Sequence, residues 1–262
     1  MLWFRSSPRV RFPLCAAVLG AVLSGPVAIG AALPSAKLDY KLPKSTTLGE
    51  PAIMTARLFN TTGYRIVADF GVNDQTEFAF LHTRPDGSVV RVRPSLVPAS
   101  RMRTSRLMLR GTSYTALVVL DEWLDLSQIG RHAIDVEFHG SVRLDGGDQA
   151  GLKRAARFPI DVKPRDARRL DKRGAEWLKQ ISTLSPDGEA RAAASALTAM
   201  KDPVAIPYLE LATARTRAPK FVEALTALSS PDARAALERL ARSQDPDVRA
   251  LAERALGGRQ GQ

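Results

Sequence analysis

The spacing of apolar residues changes once along this chain, near Arg165, and that change limits what it can fold into. Before Arg165 apolar residues alternate in short runs, and after it they recur at intervals of three and four. A period of two marks a half-buried strand, and a period of 3.6 marks an amphipathic helix. Ala52, Met54, Ala56 and Leu58 alternate with Ile53, Thr55, Arg57 and Phe59, and the run stops at Asn60-Thr-Thr-Gly63. Tyr64 to Phe70 and Thr76 to Thr83 are further runs. Pro85-Asp-Gly87 then turns the chain into Ser88 to Val92, which makes a hairpin. Thr104 to Leu109 reads as another strand. Tyr114, Ala116, Val118 and Leu120 share a face, as do His132, Ile134, Val136 and Phe138, and then Phe158, Ile160 and Val162. Seven or eight short strands punctuated by turns predict an antiparallel sandwich over 37–163.

Arg165 to Ile181 predicts a charged helix that links or docks the two regions, assigned to 165–182. Beyond it, Asp202-Pro203, Ser230-Pro231 and Asp245-Pro246 each place an oxygen-bearing side chain at an N-cap and proline at the first helical position. Phe221, Leu225 and Leu228 line one helix, Ala233, Ala236, Leu237 and Leu240 the next, and Val248, Leu251, Ala252 and Leu256 the last. Ala196-Leu197, Ala224-Leu225 and Ala255-Leu256 occupy matching places 28 and 31 residues apart. A period of about thirty residues is a solenoid signature.

Asp187-Gly-Glu-Ala-Arg191 with Ala196-Leu197, followed by Asp202-Pro-Val-Ala-Ile-Pro-Tyr-Leu209, resembles the short bacterial HEAT repeat of the PBS-lyase type. Ser230-Pro-Asp-Ala-Arg234 and Asp245-Pro-Asp-Val-Arg249 repeat the theme. The resemblance covers 187–257, about two and a half units with the last lacking its second helix, and 258–262 reads as a frayed tail. In the first region the order Gly49-Glu-Pro-Ala52, Leu58-Phe-Asn60, Pro85-Asp-Gly87, Gly111-Thr-Ser-Tyr114, Leu120-Asp-Glu-Trp123 and Gly130-Arg-His132 is similar to bacterial immunoglobulin-like domains. These include the intracellular proteinase inhibitor (BsuPI-type) family, whose pattern more often has tyrosine where His132 stands. The expected fold is therefore two domains, β then α: an antiparallel immunoglobulin-like β-sandwich followed by a short HEAT-like α-solenoid.

The first residues read as an address. Arg5, Arg9 and Arg11 precede the apolar run Leu14 to Leu23, and small residues follow to Ala36. This predicts a signal peptide over 1–32, cleaved between 30 and 36, with an uncleaved anchor as the other reading. Its removal takes away three positive charges and no negative one, so the net charge of +11 becomes +8. The single cysteine, Cys15, leaves with it. The expected location is periplasmic or secreted.

No set of residues in the sequence points to a reaction. One cysteine and three histidines exclude a disulfide framework and a cysteine-rich zinc site. Ser105, Ser113 and Ser127 lie in no nucleophile motif, and neither phosphate-binding glycine pattern occurs. Asp135, Glu137 and His139 share a strand face that could carry a metal but reads better as a solvated surface. His132, on the apolar face, reads as a hydrogen-bonded core residue. Asp121, Glu122 and Asp125 around Trp123 suggest a sugar or cation site, but an aromatic plug at the sandwich end is the preferred reading.

Two clusters of positive charge stand out. Arg84, Arg91, Arg93, Arg101, Arg103 and Arg106 form the candidate partner-binding patch, continued by Arg110 with only Asp86 against them. Lys153, Arg154, Arg157, Lys163, Arg165, Arg168, Arg169, Lys172 and Arg173 form the second. Without interleaved aromatics they do not read as a nucleic-acid surface; a general compositional excess of arginine over lysine, 29 to 9, is the preferred reading of both, and contact with an acidic protein, lipid or polymer the other.

The expectation is an exported, non-enzymatic interaction or scaffold protein of the cell envelope, with no catalytic, metal or cofactor-binding residues. Its partner would be another envelope or secreted protein, an acidic one included, with peripheral contact to an anionic membrane or polymer. The alternative is a proteinase-inhibitor-like sandwich acting through the Arg93 to Arg103 loop. A HEAT-like lyase is a remote third.

Overall fold

A computed structural model describes residues 36–71, 77–92, 105–147, 152, 155–182 and 188–257. The predicted signal peptide, the Arg93 to Arg103 loop and the 258–262 tail lie outside these residues. Eleven strands come first: β1 Lys37–Lys41, β2 Ser45–Thr47, β3 Ile53–Phe59, β4 Ile66–Asp69, β5 Phe78–Thr83, β6 Val89–Val92, β7 Ser105–Met108, β8 Ser113–Val119, β9 Gly130–Phe138, β10 Val142–Leu144 and β11 Ala155–Lys163. Six helices follow: α1 Ala167–Ser182, α2 Gly188–Ala199, α3 Ile206–Thr216, α4 Pro219–Leu228, α5 Pro231–Ala241 and α6 Pro246–Gly257.

The strands make sheets of order β1-β3-β8, β10-β4-β7 and β2-β11-β9-β5-β6. All three close on one core, which makes a β-sandwich. Alternation does the sorting. Met54, Ala56 and Leu58 of β3 and Ile134, Val136 and Phe138 of β9 are buried, while the residues between them look outward. Phe70 and Phe78 each lie 5.2 Å from Phe138, centroid to centroid. Among the described residues every strand pairing is antiparallel except that of β2 with β11, which is parallel. The three strands that the alternation does not predict, β1, β2 and β10, are the short additions at sheet edges.

The helices pack as consecutive pairs, α1 on α2, α3 on α4 and α5 on α6. The odd helices also meet one another, as do the even ones. Leu170, Trp177, Leu197, Leu209, Phe221, Leu225, Leu237 and Val248 fill the core, with alanines such as Ala196, Ala212 and Ala236 at the closest approaches. The proline caps form: Asp202 accepts from the Val204 N–H, and Ser230 from the Ala233 N–H.

The helix expected to link or dock the two regions is the first member of the stack, because Leu170, Trp177, Leu178 and Ile181 make an apolar stripe within its charged sequence. No helix follows α6 among the described residues, and α6 packs on α5. The β region and the helical region are joined. The described residues form one compact unit. Its physical basis is that α2 lies on β8, and the outward-facing Val119 belongs to the helical core, with Ile53 packed against it.

Close backbone approach requires glycine at position 140. A Cβ there would collide with the Asp69 carbonyl oxygen and the Phe138 ring. The Asp69 carbonyl belongs to the backbone, so it can move only by shifting β4. Gly140→Ala is expected to lower the unfolding free energy by about 3 kcal/mol, measured by urea denaturation.

Candidate functional site

The joint between sandwich and helices is the most elaborately built polar region of the described residues. It starts from Glu50, in the turn after β2, which is only 5% exposed. A carboxylate taken out of water must be matched by donors and by opposite charge. Its Oε2 accepts from the Thr47 N–H at 3.1 Å and from Thr46 Oγ1 at 3.2 Å. Arg169 Nε reaches Oε2 at 2.6 Å, and Arg173 Nε reaches Oε1 at 3.0 Å. These arginines are four residues apart on α1, and hence on one face of it. Arg169 also donates to the Ser45 carbonyl at 3.0 Å.

The start of α1 is fixed by the same strand. Thr47 Oγ1 donates to the Pro164 carbonyl and accepts from the Asp166 N–H, and Asp166 Oδ1 accepts from the Arg169 N–H. Four residues before Arg169, Arg165 grips Asp202 with a two-pronged contact, Nε to Oδ2 at 2.6 Å and Nη2 to Oδ1 at 2.9 Å. That guanidinium holds the Asp202 carboxyl below the usual carboxylate range. Arg165, Arg169 and Arg173 thus form a ladder to two buried carboxylates, Glu50 on the sandwich and Asp202 at the start of the second helix pair.

A cleft of about 220 Å³ opens beside this ladder, lined by Leu48, Asp121, Leu124, Asp125, Lys201 and Asp202 among others. Asp121 Oδ2 accepts from the Ala52 N–H at 2.7 Å. Burial pushes its carboxyl up to about 7, against the Ala52 bond and the nearby Lys201 charge, which pull it down. Glu122, next along the 3-10 turn Leu120–Glu122, is also raised by burial, and it bonds Ser195 of α2. The carboxylates around Trp123 therefore diverge. Asp121 turns to β3, Glu122 to α2, and Asp125 to the Ser127 N–H and Arg84. Trp123 itself packs on the sandwich core.

His132 is buried and bonded. Its Nε2 lies 2.8 Å from the Gln128 carbonyl and its Nδ1 2.8 Å from His82 Nε2, with the two rings stacked at 5.1 Å. A carbonyl only accepts, so His132 carries its proton on Nε2 and His82 donates to His132 Nδ1. Burial, with His132 and then Arg84 beside it, lowers His82 to about 4, so His82 is neutral at pH 7. On the outer sheet face Asp135 lies 3.7 Å from Arg157, and Glu137 lies 3.8 Å from Arg91 and 3.4 Å from His139. No group of three or more metal-ligating side chains occurs among the described residues.

The predicted basic patch is placed only in part. Arg84 stands in the β5–β6 turn, 3.5 Å from Asp125, and Arg91 stands on β6 facing Glu137. Arg106 is on β7, in a different sheet, with its guanidinium 5.1 Å from the Tyr114 ring centroid. Arg93, Arg101 and Arg103 lie outside the described residues, as do Lys153 and Arg154.

No protein-family model matches this chain, and no curated protein matches it. Solved structures similar to part of it include the CARDB domain of a Pyrococcus furiosus protein in complex with two metal ions. That domain is 10% identical, with 50% of this chain and 89% of the domain covered and a TM-score of 0.29. A Bordetella pertussis protein provisionally called ApaA is 12% identical, covering 51% and 99%, with a TM-score of 0.31. A β-glucosidase from Listeria innocua is 12% identical, covering 49% of this chain and 16% of its own, with a TM-score of 0.26.

Two outcomes follow from the joint. Arg169→Ala with Arg173→Ala leaves Glu50 buried without a counter-charge and is expected to cost about 3 kcal/mol. Glu50→Gln frees only partly exposed guanidiniums and is expected to cost about 1–2 kcal/mol. Equal costs by urea denaturation would overturn the asymmetry. The folded state keeps the Asp121 proton up to about pH 7, whereas an unfolded aspartate releases it near 4. Its contribution to stability is therefore full below pH 4 and is lost as the pH rises through 7. Asp121→Asn still accepts the Ala52 N–H, so it is expected to be more stable than wild type at pH 8 by about 1 kcal/mol and to lose that advantage at pH 4.

Proposed function

We propose that this is an exported, non-enzymatic interaction or scaffold protein of the cell envelope or periplasm, built from an immunoglobulin-like sandwich and a short HEAT-like helical stack. The observation that carries this reading is the joint. A ladder of three arginines ties the sandwich to the helices, so both surfaces are held in one compact unit at a fixed mutual orientation. The order β2-β11-β9-β5-β6 in one sheet and β1-β3-β8 in another, with β1 and β2 falling in different sheets, supports the immunoglobulin-like description. Consecutive helix pairs in which odd helices meet odd and even meet even support the HEAT-like one. Both architectures present broad surfaces suited to a partner. The basic, apolar leader supports export.

A photo-reactive amino acid placed at the exposed Leu211 on α3 or Leu81 on β5 tests this in cells that make the protein. The expected result is a discrete cross-linked adduct in the envelope or periplasmic fraction. Recovery of the chain solely from the cytoplasm, or a turnover activity abolished by Asp121→Asn with folding intact, would refute it.

A further inference from the structure

The end of the sandwich remote from the helices exposes apolar side chains among arginines. Position follows from strand register. Ile53 pairs with Val119 at the helical end, and Phe59 pairs with Ser113 at the other. Of the seven large apolar side chains exposed among the described residues, Tyr64, Leu107 and Leu109 all belong to this far end, at 62%, 58% and 57% exposure. Leu107 stands opposite Val67, which is flanked on its other side by the exposed Arg143.

The surface is rigid. The buried Asn60 donates from Nδ2 to the carbonyls of Tyr64 and Met108, its own carbonyl accepts from the Gly111 N–H, and its own N–H donates to the Thr112 carbonyl. One side chain thereby fixes both turns that carry the exposed residues. Lys37, Arg57, Arg65, Arg110 and Arg143 lie on the same strands and turns, Lys37 paired with Asp39 and Arg65 with Asp145, so that Arg57, Arg110 and Arg143 carry the net positive charge. The chain also enters the fold here, since Lys37 pairs with Phe59. The sequence before it holds the apolar run Leu14 to Leu23 behind three arginines.

We infer that the Tyr64–Leu107–Leu109 end docks on an anionic phospholipid surface, the apolar side chains entering the headgroup boundary and the arginines pairing with phosphate. Tyrosine and leucine supply apolar area at that depth, and each arginine near an anionic surface strengthens partitioning about fivefold. The inference deepens the reading of an envelope protein by naming a surface that the protein meets. It is tested without that reading, since vesicle binding and partner cross-linking fail independently.

Hydrogen exchange of the full chain, read by mass spectrometry, reports each segment separately and so distinguishes this end from the leader. With phosphatidylglycerol vesicles, peptides spanning 60–67 and 105–112 are expected to gain protection while 219–241 does not, and raised salt is expected to reverse the gain. In Arg110→Ala with Arg143→Ala, the lipid concentration giving half-maximal protection is expected to rise about 25-fold. Leu107→Ser with Leu109→Ser, both at exposed positions, is expected to raise it as well. Vesicle binding without protection of these peptides overturns the inference, as does equal protection by phosphatidylcholine. Protection that appears without lipid as protein concentration rises assigns the surface to a second copy and overturns it too.

Discussion

The buried carboxylate of Glu50 is the constraint on which the rest depends. An isolated carboxylate removed from water costs several kcal/mol, and the turn around Glu50 supplies only neutral donors, from Thr46 and Thr47. The compensating charge must come from elsewhere in the chain, and it comes from α1. That requirement sets the axis and rotation of α1 against β2. Because α1 is also the first member of the helical stack, it sets the placement of the other five helices. Asp202 repeats the arrangement one helix pair later through Arg165, so the sandwich and two successive pairs are referenced to one line of guanidiniums.

Tight approach inside the stack serves the same purpose. Gly174 of α1 lies under the ring of Tyr208, where a Cβ would clash, and the Tyr208 hydroxyl donates to Asp171 at 2.5 Å. Burial and that carboxylate raise the phenol to about 12, so it stays a donor across the physiological range. Alanine at the helix crossings keeps the axes close, and a stack this thin can still exclude water from Leu209 and Leu225.

The order of β then α was legible because period two and period 3.6 are local properties, and the proline-headed helices were legible because an N-cap needs only neighbouring residues. β2 and β10 were not legible. Three residues such as Ser45-Thr-Thr47 have no alternation to detect, and they are strands only because β11 lies beside them. The arginines at 165, 169 and 173 were visible at helical spacing, but their partners, Glu50 and Asp202, are distant in sequence and carry no mark of the pairing. His132 read correctly as a bonded core residue, whereas its partner His82 could not be named, because cross-sheet register decides it. The charged look of 165–181 concealed the apolar stripe of α1, whose Leu170, Trp177, Leu178 and Ile181 are few but all inward.

The parallel pairing of β2 with β11 has a consequence for the order of events during synthesis. Thr47 and the Pro164 carbonyl it bonds are 117 residues apart. A chain emerging from its N-terminus holds β2 long before β11 exists, and until then one edge of the five-stranded sheet stands open. Non-local pairing of this kind slows folding and leaves strand edges free to meet wrong partners. The strand that closes the sheet is followed within four residues by α1, so completion of the sandwich and arrival of the arginines that neutralise Glu50 coincide. Until residue 164 and α1 are made, Thr47 lacks the Pro164 carbonyl it bonds and Glu50 lacks its arginines, so the end of the sandwich that meets the helices is completed only by the chain that follows it.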